Sequence, residues 1–266
     1  MCKRIDLINA FYDGYREDIR LSKSRHGQLE YITTMYYIHR MLSPHANILE
    51  IGAGTGKYSI ALANEGHEVT AIELADNNLR ILQDNSIGIK NLTVMQGDAL
   101  DLSSLRDNAY DLTLILGPLY HLYQKEDISQ ALREAIRVTK DGGVLITAFL
   151  SVHAIMFSSY LNGSFCYGLE KNFTDAYKVK HFTEQLFTGF DVEEFEALFS
   201  GMPVEHVATA AADSVLELAE GRNDFRMSDE DFEAFVNYHL YHCEKRELLG
   251  CSGHLIYICK KHKTDL

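Results

Sequence analysis

The stretch Ile48-Leu49-Glu50-Ile51-Gly52-Ala53-Gly54-Thr55-Gly56-Lys57-Tyr58-Ser59-Ile60-Ala61-Leu62-Ala63 constrains this chain more than any other. An apolar run ends in three alternate glycines and continues into apolar positions at helical spacing, which predicts a strand, a tight turn and a helix. Gly52 and Gly54 can take positive φ at such a turn and, lacking Cβ, let a ligand approach the backbone. The helix from Gly56 then points unpaired N–H groups at that ligand.

The spacing Gly-x-Gly-x-Gly differs from the dinucleotide fingerprint Gly-x-Gly-x-x-Gly, whose last position falls here on Lys57. That departure disfavours an NAD enzyme. A second apolar run, Glu68-Val69-Thr70-Ala71-Ile72-Glu73, ends in an acid about twenty residues after the turn, the distance at which a carboxylate takes ribose hydroxyls. A third, Leu92-Thr93-Val94-Met95, leads to Gly97-Asp98-Ala99. Three successive strand ends thus carry Glu50 with Gly52, Glu73, and Asp98.

On these residues the chain resembles the class I S-adenosylmethionine-dependent methyltransferases, closely over residues 45 to 150 and loosely elsewhere. The resemblance implies a Rossmann-like, doubly wound α/β fold with a seven-stranded, mostly parallel sheet whose last strand is antiparallel. It implies S-adenosylmethionine as cofactor, with Glu50, Gly52, Ala53, Gly54 and Gly56 at the methionine part. Glu73 and Leu74 would meet the ribose, Asp98 and Ala99 the adenine, and Leu116 and Gly117 the cofactor from the fourth strand end. Segments preceding the sheet fold across cofactor and substrate in related enzymes, so Tyr12, Tyr15 or Arg20 could touch either, and Tyr15 is the candidate cofactor contact.

Residues 1–266 read as one domain in four parts: a helical cap over 1–44, a cofactor-binding half over 45–150, a lid insertion over 151–190, and a C-terminal half over 191–266 that completes the sheet. In the cap, two helical segments flank the polar Ser22-Lys23-Ser24-Arg25-His26-Gly27. Strands are expected near 47–51, 68–73, 92–96, 111–116 and 143–149, with helices near 56–65, 76–84 and 126–139. Strand and helix alternate there, as in a parallel sheet covered on both faces. Asp141-Gly142-Gly143 reads as the turn that ends the last of these helices. Further on, an amphipathic helix over 191–199, a strand over 204–210, helical residues over 228–249 and a final strand over 255–259 complete the pattern.

Ligands in open α/β sheets bind beyond the carboxyl ends of the strands, which places the methyl acceptor near Gly117-Pro118-Leu119-Tyr120-His121-Leu122-Tyr123. The Asn/Asp-Pro-Pro-Tyr/Phe motif of amino-group DNA methyltransferases is absent there, and the run resembles the small-molecule branch instead. An imidazole with an ordinary pKa of roughly 6.5 can take a proton near neutral pH, so His121 is the candidate general base. Tyr120, Tyr123, Tyr160 and His153 are candidate substrate contacts, against a plain packing role for each ring.

With 38 acidic and 25 basic residues the formal charge is −13, which opposes binding to nucleic acid or an anionic membrane. Five cysteines, Cys2, Cys166, Cys243, Cys251 and Cys259, form no Cys-x-x-Cys pair and fit a reducing cytoplasm better than a disulfide framework. His239, His242, Cys243, Cys251 and His254 match no standard zinc spacing, so no metal is expected. The expected activity is methyl transfer to an O, N or S atom of a small molecule by a cytoplasmic monomer or homodimer. Methylation of RNA or protein, and a non-catalytic S-adenosylmethionine sensor, are the alternatives.

Overall fold

A computed structural model describes residues 3–181 and 185–263; Cys2 lies outside them. The cap is three helices, α1 (Lys3–Tyr12), α2 (Glu17–Lys23) and α3 (Arg25–Met41). The polar link expected over 22–27 shrinks to one residue, because the Ser24 hydroxyl accepts from the Gly27 N–H at 3.2 Å and starts α3 at once. The cofactor half follows as β1 (Asn47–Ile51), α4 (Lys57–Asn64), β2 (Glu68–Glu73), α5 (Asp76–Asn85), β3 (Leu92–Gln96), β4 (Tyr110–Ile115), α6 (Lys125–Val138) and β5 (Thr139–Ser151). The lid is α7 (Val152–Ile155), a π-helical turn over Met156–Tyr160 and α8 (Phe165–Asn172). Thereafter come β6 (Gly189–Phe190), α9 (Val192–Ala197), β7 (Val204–Ala211), α10 (Leu216–Glu220), α11 (Asp229–His242), α12 (Arg246–Leu249) and β8 (His254–Lys261).

One sheet organises all of this, in the order β3-β2-β1-β4-β5-β8-β7, with β6 added beside β5. β1 to β5 pair in parallel, and β8 runs antiparallel to both β5 and β7. The count is eight rather than seven because the two-residue β6, too short to show any period, pairs at Leu150 and Ser151. The Asp141-Gly142-Gly143 turn is also displaced. α6 ends at Val138 and β5 begins at Thr139, so those residues form an irregularity inside the strand, where Gly142 has φ +76° and the register against β4 shifts.

The central strands read as continuous apolar runs because both faces are covered: Ile48, Leu49, Leu114, Ile115, Ile146 and Ile258 are all fully buried. Under the far half, Phe149 stacks on Phe195 with centroids 3.9 Å apart, fastening α9 to the sheet. The order in which strands are added reverses at β1, between the parallel β2 and β4, which opens a crevice at their carboxyl ends. Among the described residues no helix is long and apolar enough to cross a membrane.

Candidate active site

The glycine turn leaves β1 at Ile51. Gly52 N–H and Ala53 N–H both donate to the Ile72 carbonyl, at 2.8 and 2.9 Å, which pins the turn to β2. Gly52 has φ +76°, and a Cβ there would lie 2.6 Å from Pro118 Cγ and Cδ, so only glycine fits beneath the β4 loop. Gly56 does not line the inner chamber; it caps α4 at φ +90°, and a Cβ would collide with Leu82 Cδ1 and come 2.9 Å from Ile60 Cδ1. This third glycine allows close packing of helix on helix.

A narrow inner chamber lies over the turn, bounded by Glu50, Gly52, Ala53, Gly54, Glu73, Leu74, Asp98, Ala99, Leu116 and Gly117. Glu73 accepts the Gly54 N–H and the Ala75 N–H, both at 2.7 Å, and so braces the turn. Glu50 accepts from the Ser59 hydroxyl. Burial pushes Glu50 up to about 8 and Glu73 up to about 7, against the hydrogen bonds that each accepts. Asp98 accepts the Leu100 N–H at 3.1 Å and pairs with Arg4 of α1, which closes the chamber from the cap side.

His121 ends a 3-10 turn over Pro118–His121, and both its ring nitrogens are engaged. Nδ1–H donates to the Leu186 carbonyl at 2.7 Å, and Nε2 accepts from the Tyr12 hydroxyl at 3.1 Å. Burial lowers its pKa to about 4. The imidazole is therefore neutral, with its acceptor nitrogen on the Tyr12 hydroxyl.

An outer cavity of about 1,020 Å³ adjoins the inner chamber. Tyr12, Glu17, Arg20 and Tyr120 line both spaces and so mark their junction. Tyr15 borders only the outer cavity, stacked on Phe11 at 5.0 Å, so the structure does not bring it to the inner chamber. Tyr160 lines the outer wall from the lid. Tyr123 and His153 line neither space: Tyr123 is buried behind the turn, and His153 stands half exposed, 3.5 Å from Asp191.

The sequence did not mark out the charged floor of the outer cavity. Arg20 grips Glu30 with two bonds, 2.6 and 2.9 Å, and reaches Glu17 at 3.1 Å. His254 Nδ1 lies 2.8 Å from Asp213 and 3.6 Å from Glu30. Although burial opposes its charge, those two acids raise His254 to about 9. The only local signal was Glu17 and Arg20 one helical turn apart. The C-terminal histidines and cysteines do not assemble: Cys243 Sγ meets the Tyr37 hydroxyl at 3.3 Å, Cys251 is exposed, and His254 joins the floor. Glu30, Asp213 and His254 have ligand atoms within 4.8 Å of one another, but Arg20 and the proton on His254 already balance the two acids.

Residues 49–147 match the family model described as a methyltransferase domain. The chain is 30% identical over 111 residues to YqeM of Bacillus subtilis, covering 41% of this chain and 44% of that protein. It is 32% identical over 101 residues to the demethylmenaquinone methyltransferase of Staphylococcus aureus, covering 37% and 40%. The match thus spans less than half the length of either relative. A solved S-adenosylmethionine-dependent methyltransferase of Methanosarcina mazei aligns with a TM-score of 0.57 over 86% of this chain and 98% of its own, at 18% identity, a likeness of fold. Over residues 49–147 the chain is similar to the methyltransferase domain family, and its fold is that of solved S-adenosylmethionine-dependent methyltransferases.

The inner chamber fits S-adenosylmethionine. Its buried acids hold protons into the neutral range, and a ligand with ribose hydroxyls and an ammonium brings the donors they lack. The glycine turn also presents the bare backbone of Gly52 and Gly54 to the chamber.

Proposed function

We propose that the protein transfers a methyl group to an O, N or S atom of a small molecule held in the outer cavity. The observation that carries this reading is the junction itself: the inner chamber over the glycine turn opens at Tyr12, Glu17, Arg20 and Tyr120 onto a second cavity large enough for a small acceptor. The relative named for demethylmenaquinone supports a small-molecule acceptor as a class.

S-adenosylmethionine, when bound, supplies a methyl carbon activated by a sulfonium. Glu73 would accept ribose hydroxyls, Glu50 and the Gly52–Gly54 backbone would hold the methionine part, and Asp98 would face the adenine once Arg4 shares it. The chain's remaining task is positioning, which can account for much of the rate of such a displacement. Tyr120, whose hydroxyl donates to the Leu116 carbonyl at 3.2 Å, and Tyr12, held by His121, shape the passage between the chambers. The rings of Phe11, Tyr15 and Phe187 wall the acceptor side.

Incubation of the protein and methyl-labelled cofactor with a cell extract tests this. Label is expected in a small molecule that separates from the cofactor on chromatography and forms only when the protein is present; protein-dependent label in RNA or protein instead would overturn the small-molecule reading.

A further inference from the structure

The outer cavity has rings on one side and carboxylates beneath. Tyr12, Tyr15 and Tyr120 border it together with Glu17 of α2 and Glu217 of α10. The two cations of the floor, Arg20 and His254, are already answered from behind by Glu30 and Asp213, with ion-pair distances of 2.6 and 2.8 Å. That pairing leaves Glu17 sharing one guanidinium with Glu30. It leaves Glu217 beside a further acid, Asp213: the Glu217 carboxylate packs on the bare backbone of Gly253, where a Cβ would collide with Glu217 Oε2 and stand 3.1 Å from Asp213 Oδ2. Burial raises the pKa of both Glu17 and Glu217, against the pull of Arg20 on Glu17, while Asp213 adds to the rise of Glu217 against His254 and His26.

We propose that the outer cavity recognises a protonated amine on the methyl acceptor, held between Glu17 and Glu217 and over the faces of Tyr12, Tyr15 and Tyr120. This rests on the methyltransferase reading of the same site. A cation within about 6 Å of a ring face is attracted by the ring quadrupole, more so once desolvated, and a carboxylate in a cavity is a stronger partner for an ammonium than one in water. The lid side differs in sign: Lys171 and Lys180 border the cavity there with Glu170, and Lys180 Nζ donates to the Glu170 carbonyl at 2.8 Å. The amine is accordingly placed at the floor and the rest of the acceptor toward the lid.

The test compares three probes of one shape by calorimetry on the whole protein saturated with S-adenosylhomocysteine: 2-phenylethylamine, 2-phenylethanol and 3-phenylpropionate. The amine is expected to bind at least about tenfold more tightly than either of the others, a difference of about 1.4 kcal/mol. Glu217→Gln, which keeps shape and removes charge, is expected to cost the amine about tenfold while leaving the alcohol unchanged. Equal affinities, tighter binding of the carboxylate, no binding of any probe, or an amine indifferent to Glu217→Gln would each overturn the proposal. If S-adenosylhomocysteine binds and the amine shows no preference, the amine site alone falls. If S-adenosylhomocysteine does not bind, the methyltransferase reading falls and the amine site with it.

Discussion

Glu50 is the residue at which function and stability pull apart most clearly. Its carboxyl sits on a fully buried strand with a folded-state pKa of about 8 against an ordinary value near 4.5. Between those values the folded chain holds a proton that the unfolded chain has released, so this contribution to stability is complete below pH of about 4.5 and is lost as pH rises through about 8. Glu73, at about 7, adds a loss of the same sign over a narrower window. Glu50→Gln mimics the protonated form. The variant is expected to melt several degrees above the parent at pH 8 and level with it at pH 5, the limit being about 1.4 kcal/mol per pH unit, and to bind S-adenosylhomocysteine more weakly. Melting curves at the two pH values check this; a variant less stable than the parent at pH 8 would show that Glu50 is held ionised. Legibility at this scale was uneven. Glu50, Glu73 and Asp98 could be located because each lies within two residues of a strand's carboxyl end, and strand ends are ordered by the chain itself. His121 could be located but not understood, since its partners Tyr12 and Leu186 lie 109 and 65 residues away, and nothing local announces that both nitrogens are taken.

Among the elements, the glycine turn into α4 carries two functions that the sequence shows as one. Gly52 and Gly54 border the chamber, whereas Gly56 lets α4 pack against α5 through Ile60 and Leu82. Gly56→Ala is therefore expected to destabilise the fold by about 2–4 kcal/mol, from left-handed backbone strain and overpacking. Gly250→Ala is the control: φ is −65° and nothing lies within 4 Å, so the change should be near neutral. Urea midpoints distinguish the two, and a silent Gly56→Ala would contradict the packing role. The parallel strands were legible to within a residue or two because burial on both faces makes them apolar throughout. The start of β5 was not: Asp141-Gly142-Gly143 has the composition of a turn, and only pairing with β4 turns it into an irregularity within a strand. Ser24 hid a helix start inside a polar run for a similar reason, since a cap is a hydrogen bond before it is a composition.

For the whole molecule, the order β3-β2-β1-β4-β5-β8-β7 places every strand-end acid of the cofactor half along one crevice, and the cap and lid close over it from opposite ends. The cap brings Arg4 to Asp98 and Tyr12 to His121; the lid brings Tyr160 and Lys171 to the outer cavity. Sequence carried the sheet half of this plan and little of the rest, because cap, lid and C-terminal half meet through single contacts such as Arg20 with Glu30 and His254 with Asp213, which follow no period. The central claim is that the glycine turn serves an S-adenosyl ligand. It is tested most directly by calorimetric titration of the protein with S-adenosylmethionine, S-adenosylhomocysteine and NAD in parallel. The account predicts saturable binding of the first two, stronger at pH 8 than at pH 6 as Glu50 and Glu73 ionise, and none of NAD. Binding of NAD alone, or of none of the three, would contradict it.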